Sequence, residues 1–227
     1  MKDKNYIIAI DGPSGAGKSS LSKLISKKLR ISYIDTGAMY RACALYADES
    51  GVNPSVDSDE LRKLLENVDI DFGYSNDEQR LFLNGVDVSE KIRQPKISTY
   101  ASDISAIVFV RDKLVEMQRN LSAGKSVLMD GRDIGTNVFP NADVKIYLTA
   151  DVNDRAKRRF DELTKKGVSV RFEDVLSEMI SRDENDKNRK YAPLKKADDA
   201  VLVDTTGNEF EKSFDILFKL ITEKIGE

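Results

Sequence analysis

The chain of 227 residues contains no histidine and only one cysteine, Cys43. The absence of histidine excludes a Ser–His–Asp triad and a histidine-ligated metal, so any general base must be a carboxylate. A single cysteine cannot form an internal disulfide, which excludes a small secreted disulfide scaffold and makes a reducing cytoplasm the expected location. Cys43 lies in an apolar run, and we interpret it as a core residue.

Long hydrophobic runs and a large excess of one charge are also missing. No stretch approaches the roughly 18 apolar residues of a membrane span. The first five residues are polar or charged apart from Met1 and lead directly into a predicted strand, so no signal peptide is expected. The net charge of −3 argues against a duplex nucleic-acid binder. The even spread of charge favours a monomer, and 40% hydrophobic residues are enough for a core.

Short apolar segments alternate with segments that have helical spacing. Strands are predicted at residues 6–10, 33–34, 126–129, 144–148 and 201–203. Helices are predicted at 19–29, 37–47, 96–107, 110–121, 153–166, 172–188 and 209–225. This alternation predicts an α/β fold with a doubly wound, parallel, five-stranded sheet.

Residues 55–100 interrupt that rhythm. A helix is predicted at 57–67, capped by Ser58 or Asp57, followed by strands at 69–72 and 80–83 around a polar turn at 74–78. Asn84-Gly85 is a strong turn signal. We interpret 55–100 as an inserted subdomain, and 1–54 with 101–227 as the core domain.

Residues 12–19 read Gly-Pro-Ser-Gly-Ala-Gly-Lys-Ser and match the pattern G-x-x-x-x-G-K-[ST]. In this pattern backbone N–H groups converge on a β-phosphate, the lysine reaches the β and γ oxygens, and the hydroxyl binds Mg²⁺. The segment follows a predicted buried strand and opens a predicted helix, as the chemistry requires. The alternative is a glycine-rich structural turn, which the context disfavours. We therefore predict an ATP-binding P-loop.

Two shorter patterns point to other classes and are rejected. Asp204-Thr-Thr-Gly207 fits the DxxG of a GTPase, but no N-K-x-D follows, and we interpret it as a strand end turning into the last helix. Asp35-Thr36-Gly37 resembles an aspartic-protease triplet, but a single copy in a βαβ chain is no evidence for that chemistry.

Arginine lies beside aspartate at predicted strand ends and along two predicted helices. Ligands of open α/β sheets bind at the carboxyl ends of strands, where several arginines can bring two phosphates together. The alternative for each helical cluster is a solvated, salt-bridged face. The clusters comprise Arg41, Arg132 with Asp133, then Arg155, Arg158 and Arg159 on one face, and Arg182, Asp186 and Arg189 on another.

Taken together, these motifs resemble the bacterial cytidylate kinase family over nearly the whole chain. The similar segments are IAIDGPSGAGKSS at 8–20, YIDTGAMYRA at 33–42, MDGRDIGTNVFPNADVKIYLTA at 129–150, DRAKRR at 154–159 and RDENDKNRKYAPLKKADDA at 182–200. The strings DTGAMYR and DGRDIGT are specific. The resemblance implies a P-loop nucleoside monophosphate kinase whose monophosphate-binding domain is the insertion at 55–100, with a short lid at about 153–170.

The resemblance also implies roles for individual residues. Catalytic roles fall to Lys18, Arg132 and Arg159. ATP binding falls to Gly12, Pro13, Ser14, Gly15, Ala16, Gly17, Lys18, Ser19 and Ser20, with the lid residues Arg155, Arg158 and Arg159. The acceptor phosphate is assigned to Arg41, Arg132 and Arg189 near Thr36 and Tyr40, the cytosine edge to Ser102, Arg111 and Asp133, and the ribose to Arg182 and Asp186.

The chain departs from many relatives at two places: Thr36 stands where they have serine, and Ser19-Ser20 where they have Gly-Thr. Ser19 is still expected to bind Mg²⁺ by the general motif. A carboxylate and an arginine suit the amino donor and ring acceptors of cytosine, whereas uracil leaves buried groups unpaired. The expected partners are therefore ATP with Mg²⁺ and CMP or dCMP, with no nucleic acid and no membrane.

The expected reaction is in-line transfer of the γ-phosphoryl group of ATP to CMP or dCMP, in pyrimidine nucleotide metabolism. One alternative is a kinase for another monophosphate or a small metabolite. The other is a nucleotide-dependent switch or a nucleic-acid-binding regulator, which would hydrolyse ATP or GTP slowly and phosphorylate no small molecule.

Overall fold

Residues 5–75 and 78–226 are described by the computed structural model, and they form two units. One unit takes the residues up to Tyr33 together with those from Gly124 onward, and the other runs from Ile34 to Ala123. The sequence predicted different limits, with an insertion at 55–100. The identification of 55–100 as a monophosphate-binding subdomain stays a prediction.

A five-stranded sheet forms the centre of the first unit, in the order β2-β6-β1-β7-β8. β1 pairs in parallel with β6 and β7, and β7 pairs in parallel with β8. The predicted α/β fold with a five-stranded parallel sheet is confirmed. The strands are β1 (Ile7–Asp11), β2 (Ser32–Asp35), β6 (Val127–Gly131), β7 (Val144–Thr149) and β8 (Val201–Asp204).

The α-helices in the described residues of this unit are α1 (Lys18–Leu29), α6 (Val152–Lys165), α7 (Phe172–Asn188) and α8 (Phe210–Ile225). The strands β1, β6 and β7 are mostly apolar and buried, and one core joins the sheet to α1 and α8. α6 and α7 pack through a smaller apolar cluster around Ala156, Val175 and Met179. All four helices lie where the sequence predicted them, to within one residue at either end.

The second unit combines α2 (Thr36–Glu49), α3 (Asp59–Glu66), α4 (Pro95–Ile104) and α5 (Val108–Ser122) with an antiparallel sheet. Its strands are β3 (Ile70–Ser75), β4 (Glu78–Leu83) and β5 (Val86–Asp87), in the order β3-β4-β5. Ser58 caps α3, since its Oγ accepts from the N–H of Leu61 at 3.2 Å. Two residues of the predicted polar turn, Asn76 and Asp77, lie outside the described residues.

The Asn84-Gly85 turn is confirmed. Both residues have positive φ, 48° and 78°, and Leu83 pairs with Val86 across the turn. Positive φ at both central positions is what Asn-Gly favours in a two-residue hairpin. The short strand β5 that follows was not predicted, because two residues are too few to show alternation.

One element of the first unit has no counterpart in the sequence prediction. Residues Ile134–Val138, just after β6, form a single π-helical turn. The N–H groups of Val138 and Phe139 donate to carbonyl oxygens five residues earlier, at 3.2 and 2.7 Å. Such turns are rare and often lie at functional sites. This one directly follows Arg132 and Asp133.

The helices that the structure describes are too short or too polar for a membrane span. Over residues 5–75 and 78–226, none is both long enough and apolar enough to cross a bilayer.

Candidate active site

The loop between β1 and α1 depends on glycine in backbone positions that other residues cannot take. Gly12 has φ 150°, and a Cβ there would lie 1.9 Å from the carbonyl oxygen of Leu148 on β7. Gly15 has φ 72°, and a Cβ there would lie 3.0 Å from Cε of Met179 on α7 and 3.3 Å from Cβ of Arg155 on α6. Gly17 caps α1 with φ 90°. The loop therefore wraps tightly against the sheet and the α6–α7 pair before the helix begins.

Lys18, the first residue of α1, is only 6% exposed. Its Nζ donates to the carbonyl oxygen of Pro13 at 2.7 Å, which turns the side chain back over its own loop. Burial, followed by the positive charge of Arg132, lowers the pKa of Lys18 to about 7. An anion bound in the loop would stabilise the charged ammonium and so oppose both of these effects on the pKa.

Ser19 and Asp130 meet beside the loop. Ser19 Oγ donates to Asp130 Oδ2 at 2.9 Å, and the hydroxyl of Tyr33 donates to Asp130 Oδ1 at 2.8 Å. Asp130 lies near the end of β6 and is 3% exposed. Ser20, the other candidate hydroxyl, is exposed on α1.

This hydroxyl–carboxylate pair suits a P-loop magnesium ion. In residues 5–75 and 78–226 no cluster of three or more acidic or cysteine side chains could hold a metal alone. Mg²⁺ with a nucleotide needs fewer protein ligands, because phosphates and water complete its coordination. Ser19 and Asp130 could supply oxygen ligands of the kind that such an ion prefers. The sequence analysis places Asp130 in the segment after a buried strand but assigns it no role, although an acid at that position was a usable signal.

Asp11, at the end of β1, holds the π-helical turn. Its two carboxylate oxygens accept from the N–H groups of Ile134 and Gly135, each at 2.7 Å. Burial raises the pKa of Asp11 to about 7 against the opposing effect of these two bonds. An N–H donor at each oxygen fits the ionised carboxylate. The sequence prediction did not include Asp11.

Arg132, just after β6, and Arg189, just after α7, meet Asp186 of α7 in a largely buried cluster. Arg132 Nε donates to Asp186 Oδ2 at 2.7 Å, and Arg189 Nη1 lies 3.7 Å from Asp186 Oδ1. Burial acts to raise the pKa of Asp186, but the charges of Arg132 and Arg189 outweigh it and hold that pKa below its ordinary value. Arg182 lies one helical turn before Asp186 on α7, and its Nη1 is 3.8 Å from Glu178 Oε1. The structure thus brings together three of the predicted acceptor residues: Arg132, Asp186 and Arg189.

The three arginines of α6 differ in their contacts. Arg155 is buried, and its guanidinium donates to the carbonyl oxygens of Ala150 and Ser14, both at 2.9 Å, and pairs with Asp183 at 2.7 Å. Arg158 donates to the carbonyl oxygen of Thr205 at 2.9 Å. Arg159 is 31% exposed and pairs with Glu162. Arg158 and Arg159 are therefore both partly exposed, whereas Arg155 is buried.

The remaining predicted acceptor residues belong to the second unit. Asp35 caps α2 by accepting from the N–H of Ala38, and it also accepts from Arg41 Nη2 at 3.1 Å. Arg111 is 1% exposed; its Nη1 donates to the carbonyl oxygen of Ser105, and its guanidinium lies 5.6 Å from the ring centre of Tyr40. Thr36 is buried at the start of α2, and Ser102 is half-buried on α4.

A loop with this backbone, between a buried parallel strand and a helix, suits a polyphosphate. With the cluster of Arg132, Asp186 and Arg189 just after the neighbouring strand β6, it defines the protein as a P-loop kinase by class. A family model described as cytidylate kinase matches residues 8–223. The chain belongs to the cytidylate kinase family.

Full-length relatives agree with that assignment. The chain is 46% identical to the cytidylate kinase of Caldicellulosiruptor bescii, covering 98% of this chain and 100% of the relative. It is 49% identical to that of Caldicellulosiruptor saccharolyticus, covering 98% of each, and 47% identical to that of Fusobacterium nucleatum, covering 97% and 99%. The family resemblance predicted from the sequence is confirmed.

A solved structure supports the fold alone. An uncharacterized protein from Eubacterium ventriosum is similar over 97% of this chain and 99% of its own, with a TM-score of 0.51 and 14% sequence identity.

Proposed function

We propose that the protein transfers the γ-phosphoryl group of ATP to CMP or dCMP and releases ADP with CDP or dCDP. An oxygen of the acceptor phosphate forms the new bond to the γ phosphorus, and the bond from that phosphorus to the β–γ bridging oxygen breaks. Because the nucleophile is already a phosphate oxygen, no strong general base is required. This agrees with a chain that has no histidine.

The proposal rests on the carboxyl end of β6, where two nearby side chains contact two different parts of the site. Asp130 holds the hydroxyl of Ser19, which belongs to the phosphate loop, and two residues later Arg132 is held by Asp186 in the arginine cluster. A group suited to the donor side and a group suited to the acceptor phosphate thus lie two residues apart, Asp130 within β6 and Arg132 just after it. Such closeness is what direct transfer between two anions requires.

On the donor side, the backbone of residues 12–19 and Lys18 bind the ATP phosphates. Ser19 and Asp130 would hold Mg²⁺, which neutralises the β and γ oxygens when it is bound. Lys18 leaves the carbonyl oxygen of Pro13 and turns its ammonium toward the phosphates. Arg158 and Arg159 on α6 act as lid residues that cover ATP and help exclude water, which would otherwise hydrolyse it. The predicted ATP contact of Arg155 remains a prediction.

On the acceptor side of the first unit, Arg132 and Arg189 bind the monophosphate, and Asp186 keeps both guanidinium groups in place until it arrives. Arg182 and Asp186 bind the ribose. The carboxylate of Asp133 accepts from the exocyclic amine of cytosine, whereas the carbonyl oxygen at that position in uracil repels it. Within the second unit, roles in acceptor binding for Thr36, Tyr40, Arg41, Ser102 and Arg111 remain predictions.

The proposal is tested by a coupled ADP-release assay with Mg-ATP and a panel of acceptors: CMP, dCMP, UMP, AMP, dTMP and shikimate. We expect rapid turnover with CMP or dCMP, and the diphosphate product is confirmed by phosphorus NMR. Lys18→Ala serves as the control and should abolish turnover with an unchanged circular dichroism spectrum. Rapid consumption of a different acceptor, or slow ATP hydrolysis with no phosphorylated product, overturns the substrate assignment.

A further inference from the structure

We propose that Asp11 is a positioning residue for the acceptor nucleotide, although it directly precedes the first glycine of the phosphate loop. The inference rests on the proposed function, because it assigns Asp11 to the CMP or dCMP side of that reaction. The residue touches neither substrate. It acts through the π-helical turn that fixes Asp133.

Asp11 attaches the π-helical turn to the end of β1. Asp11 is 4% exposed and accepts from the N–H groups of Ile134 and Gly135, each at 2.7 Å. Hydrogen bonds to a buried carboxylate are stronger than those between neutral groups. A π-helical turn also has fewer regular backbone bonds than an α-helix of the same length. The carboxylate therefore supplies a large part of what keeps this turn in one conformation.

A further contact links the turn to the base-reading side chain. Asn137 belongs to the turn, and its Nδ2 donates to Asp133 Oδ2 at 3.0 Å. The backbone N–H of Asn137 also donates to the carbonyl oxygen of Asp133 at 2.8 Å. The direction of the Asp133 carboxylate is thus set by a residue whose own position depends on the attachment to Asp11.

The small size of Gly135 also contributes to the close contact between the turn and Asp11. A Cβ on Gly135 would lie 3.3 Å from Asp11 Oδ2 and 3.2 Å from Cδ of Lys145. Lys145 is itself fixed, because its ammonium pairs with Asp199 at 2.8 Å. A methyl group at position 135 would therefore force Asp11, Lys145 or the turn itself to shift by a few tenths of an ångström.

A second buried carboxylate provides a matched control. Asp183 on α7 pairs with Arg155 at 2.7 Å, and Arg155 donates to the carbonyl oxygen of Ser14 in the phosphate loop. Asp183 is therefore linked to the donor loop through Arg155, although it lies on the helix that carries acceptor residues. Asp11 directly precedes the phosphate loop, yet we expect its substitution to affect binding of the acceptor nucleotide. Asp183 lies on the helix that carries acceptor residues, yet we expect its substitution to affect binding of ATP.

The test compares Asp11→Asn with Asp183→Asn in equilibrium titrations of each variant with CMP alone and with Mg-ATP alone. The asparagine amide has one acceptor where Asp11 has two, so one N–H of the turn loses its partner. We expect Asp11→Asn to weaken CMP binding by about tenfold and to change ATP binding by less than about threefold. Asp183→Asn should weaken ATP binding more than it weakens CMP binding. Equal losses for both substrates in Asp11→Asn, or no loss for CMP, overturn the proposal.

Gly135→Ala keeps the proposal testable should Asp11→Asn fold poorly. It disturbs the same turn while leaving the carboxylate in place, and it should also weaken CMP binding selectively. Thermal melts report the folding of every variant. Wild-type protein that binds and phosphorylates no cytidine nucleotide would contradict the proposed function. Wild-type turnover together with unselective variants would contradict only the role of Asp11.

Discussion

The ammonium of Lys18 donates a hydrogen bond to the carbonyl oxygen of Pro13, five residues earlier in the same loop, at 2.7 Å. The buried lysine has a pKa lowered to about 7, first by burial and then by the charge of Arg132. At pH 8 the side chain is therefore largely neutral. Binding of a negatively charged ligand in the loop should therefore favour the charged form of Lys18.

This arrangement predicts that ATP binding at pH 8 is accompanied by proton uptake. The phosphates stabilise the charged ammonium, raise its pKa, and so draw a proton from the buffer. At pH 5.5 Lys18 already carries its proton, and its contribution should vanish. Titration calorimetry in two buffers with different ionisation enthalpies measures the number of protons taken up.

Lys18→Arg is the matched control for proton uptake, because arginine keeps the positive charge and cannot be deprotonated at this pH. The variant should lose the uptake at pH 8. Wild-type protein and Lys18→Arg with equal proton uptake would contradict the lowered pKa of Lys18.

Gly12→Ala should be strongly destabilising. A Cβ at this position would lie 1.9 Å from the carbonyl oxygen of Leu148, a backbone atom of β7 that cannot move without disturbing the sheet. We expect the free energy of unfolding to fall by at least about 3 kcal/mol, from overpacking and backbone strain together. Urea denaturation measures the loss.

Gly124→Ala is the control for Gly12→Ala. Gly124 also has positive φ, 75°, but a Cβ there would meet nothing within 4 Å. It should lose only about 1 kcal/mol, the cost of the backbone conformation. Similar losses in the two variants would mean that β7 can yield at Leu148.

The sequence was sufficient to predict what depends on local pattern. The apolar strands, the helix periods, the Ser58 cap and the Asn84-Gly85 turn are each determined by residues close to one another in the chain. Asp11 and Asp130 were missed as site residues because their partners, Gly135 and Ser19, lie more than a hundred residues away. No spacing rule within one segment reveals which distant backbone N–H or hydroxyl a carboxylate will meet.

The arginines of α6 show the same limit. Helical spacing correctly places Arg155, Arg158 and Arg159 close together on one helix, but it cannot distinguish a buried side chain from an exposed one on a helix of mixed burial. Arg155 is buried because Asp183 and the carbonyl oxygen of Ser14 compensate its charge. Those partners come from α7 and from the phosphate loop.

This difference predicts unequal stability effects of two substitutions on one helix. Arg155→Ala removes one partner of a pair whose side chains are 6% and 7% exposed, and it should cost about 3–5 kcal/mol by leaving Asp183 buried and unpaired. Arg159→Ala removes a surface pair with Glu162 and should cost about 0–1 kcal/mol. Urea denaturation of both variants measures the contrast, and equal losses would contradict it.

Asp133→Ala should impair the use of CMP far more than that of ATP. The carboxylate is 5% exposed and is oriented by Asn137, so its removal leaves the cytosine amine without the acceptor that we assign to it. We expect kcat/KM for CMP to fall about 10- to 100-fold, with little change in the KM for ATP. Steady-state kinetics with each substrate varied in turn separates the two effects.

Asp133→Asn refines this prediction, because it keeps the shape of the side chain and changes its hydrogen-bonding groups. The amide retains one acceptor for the cytosine amine and gains a donor that suits the carbonyl oxygen of uracil. The ratio of kcat/KM for CMP to that for UMP should therefore fall below the wild-type value, even if both activities decline. A ratio that stays constant, or equal changes in the KM values for CMP and ATP, would remove Asp133 from the base-reading role and leave it only the support of the turn.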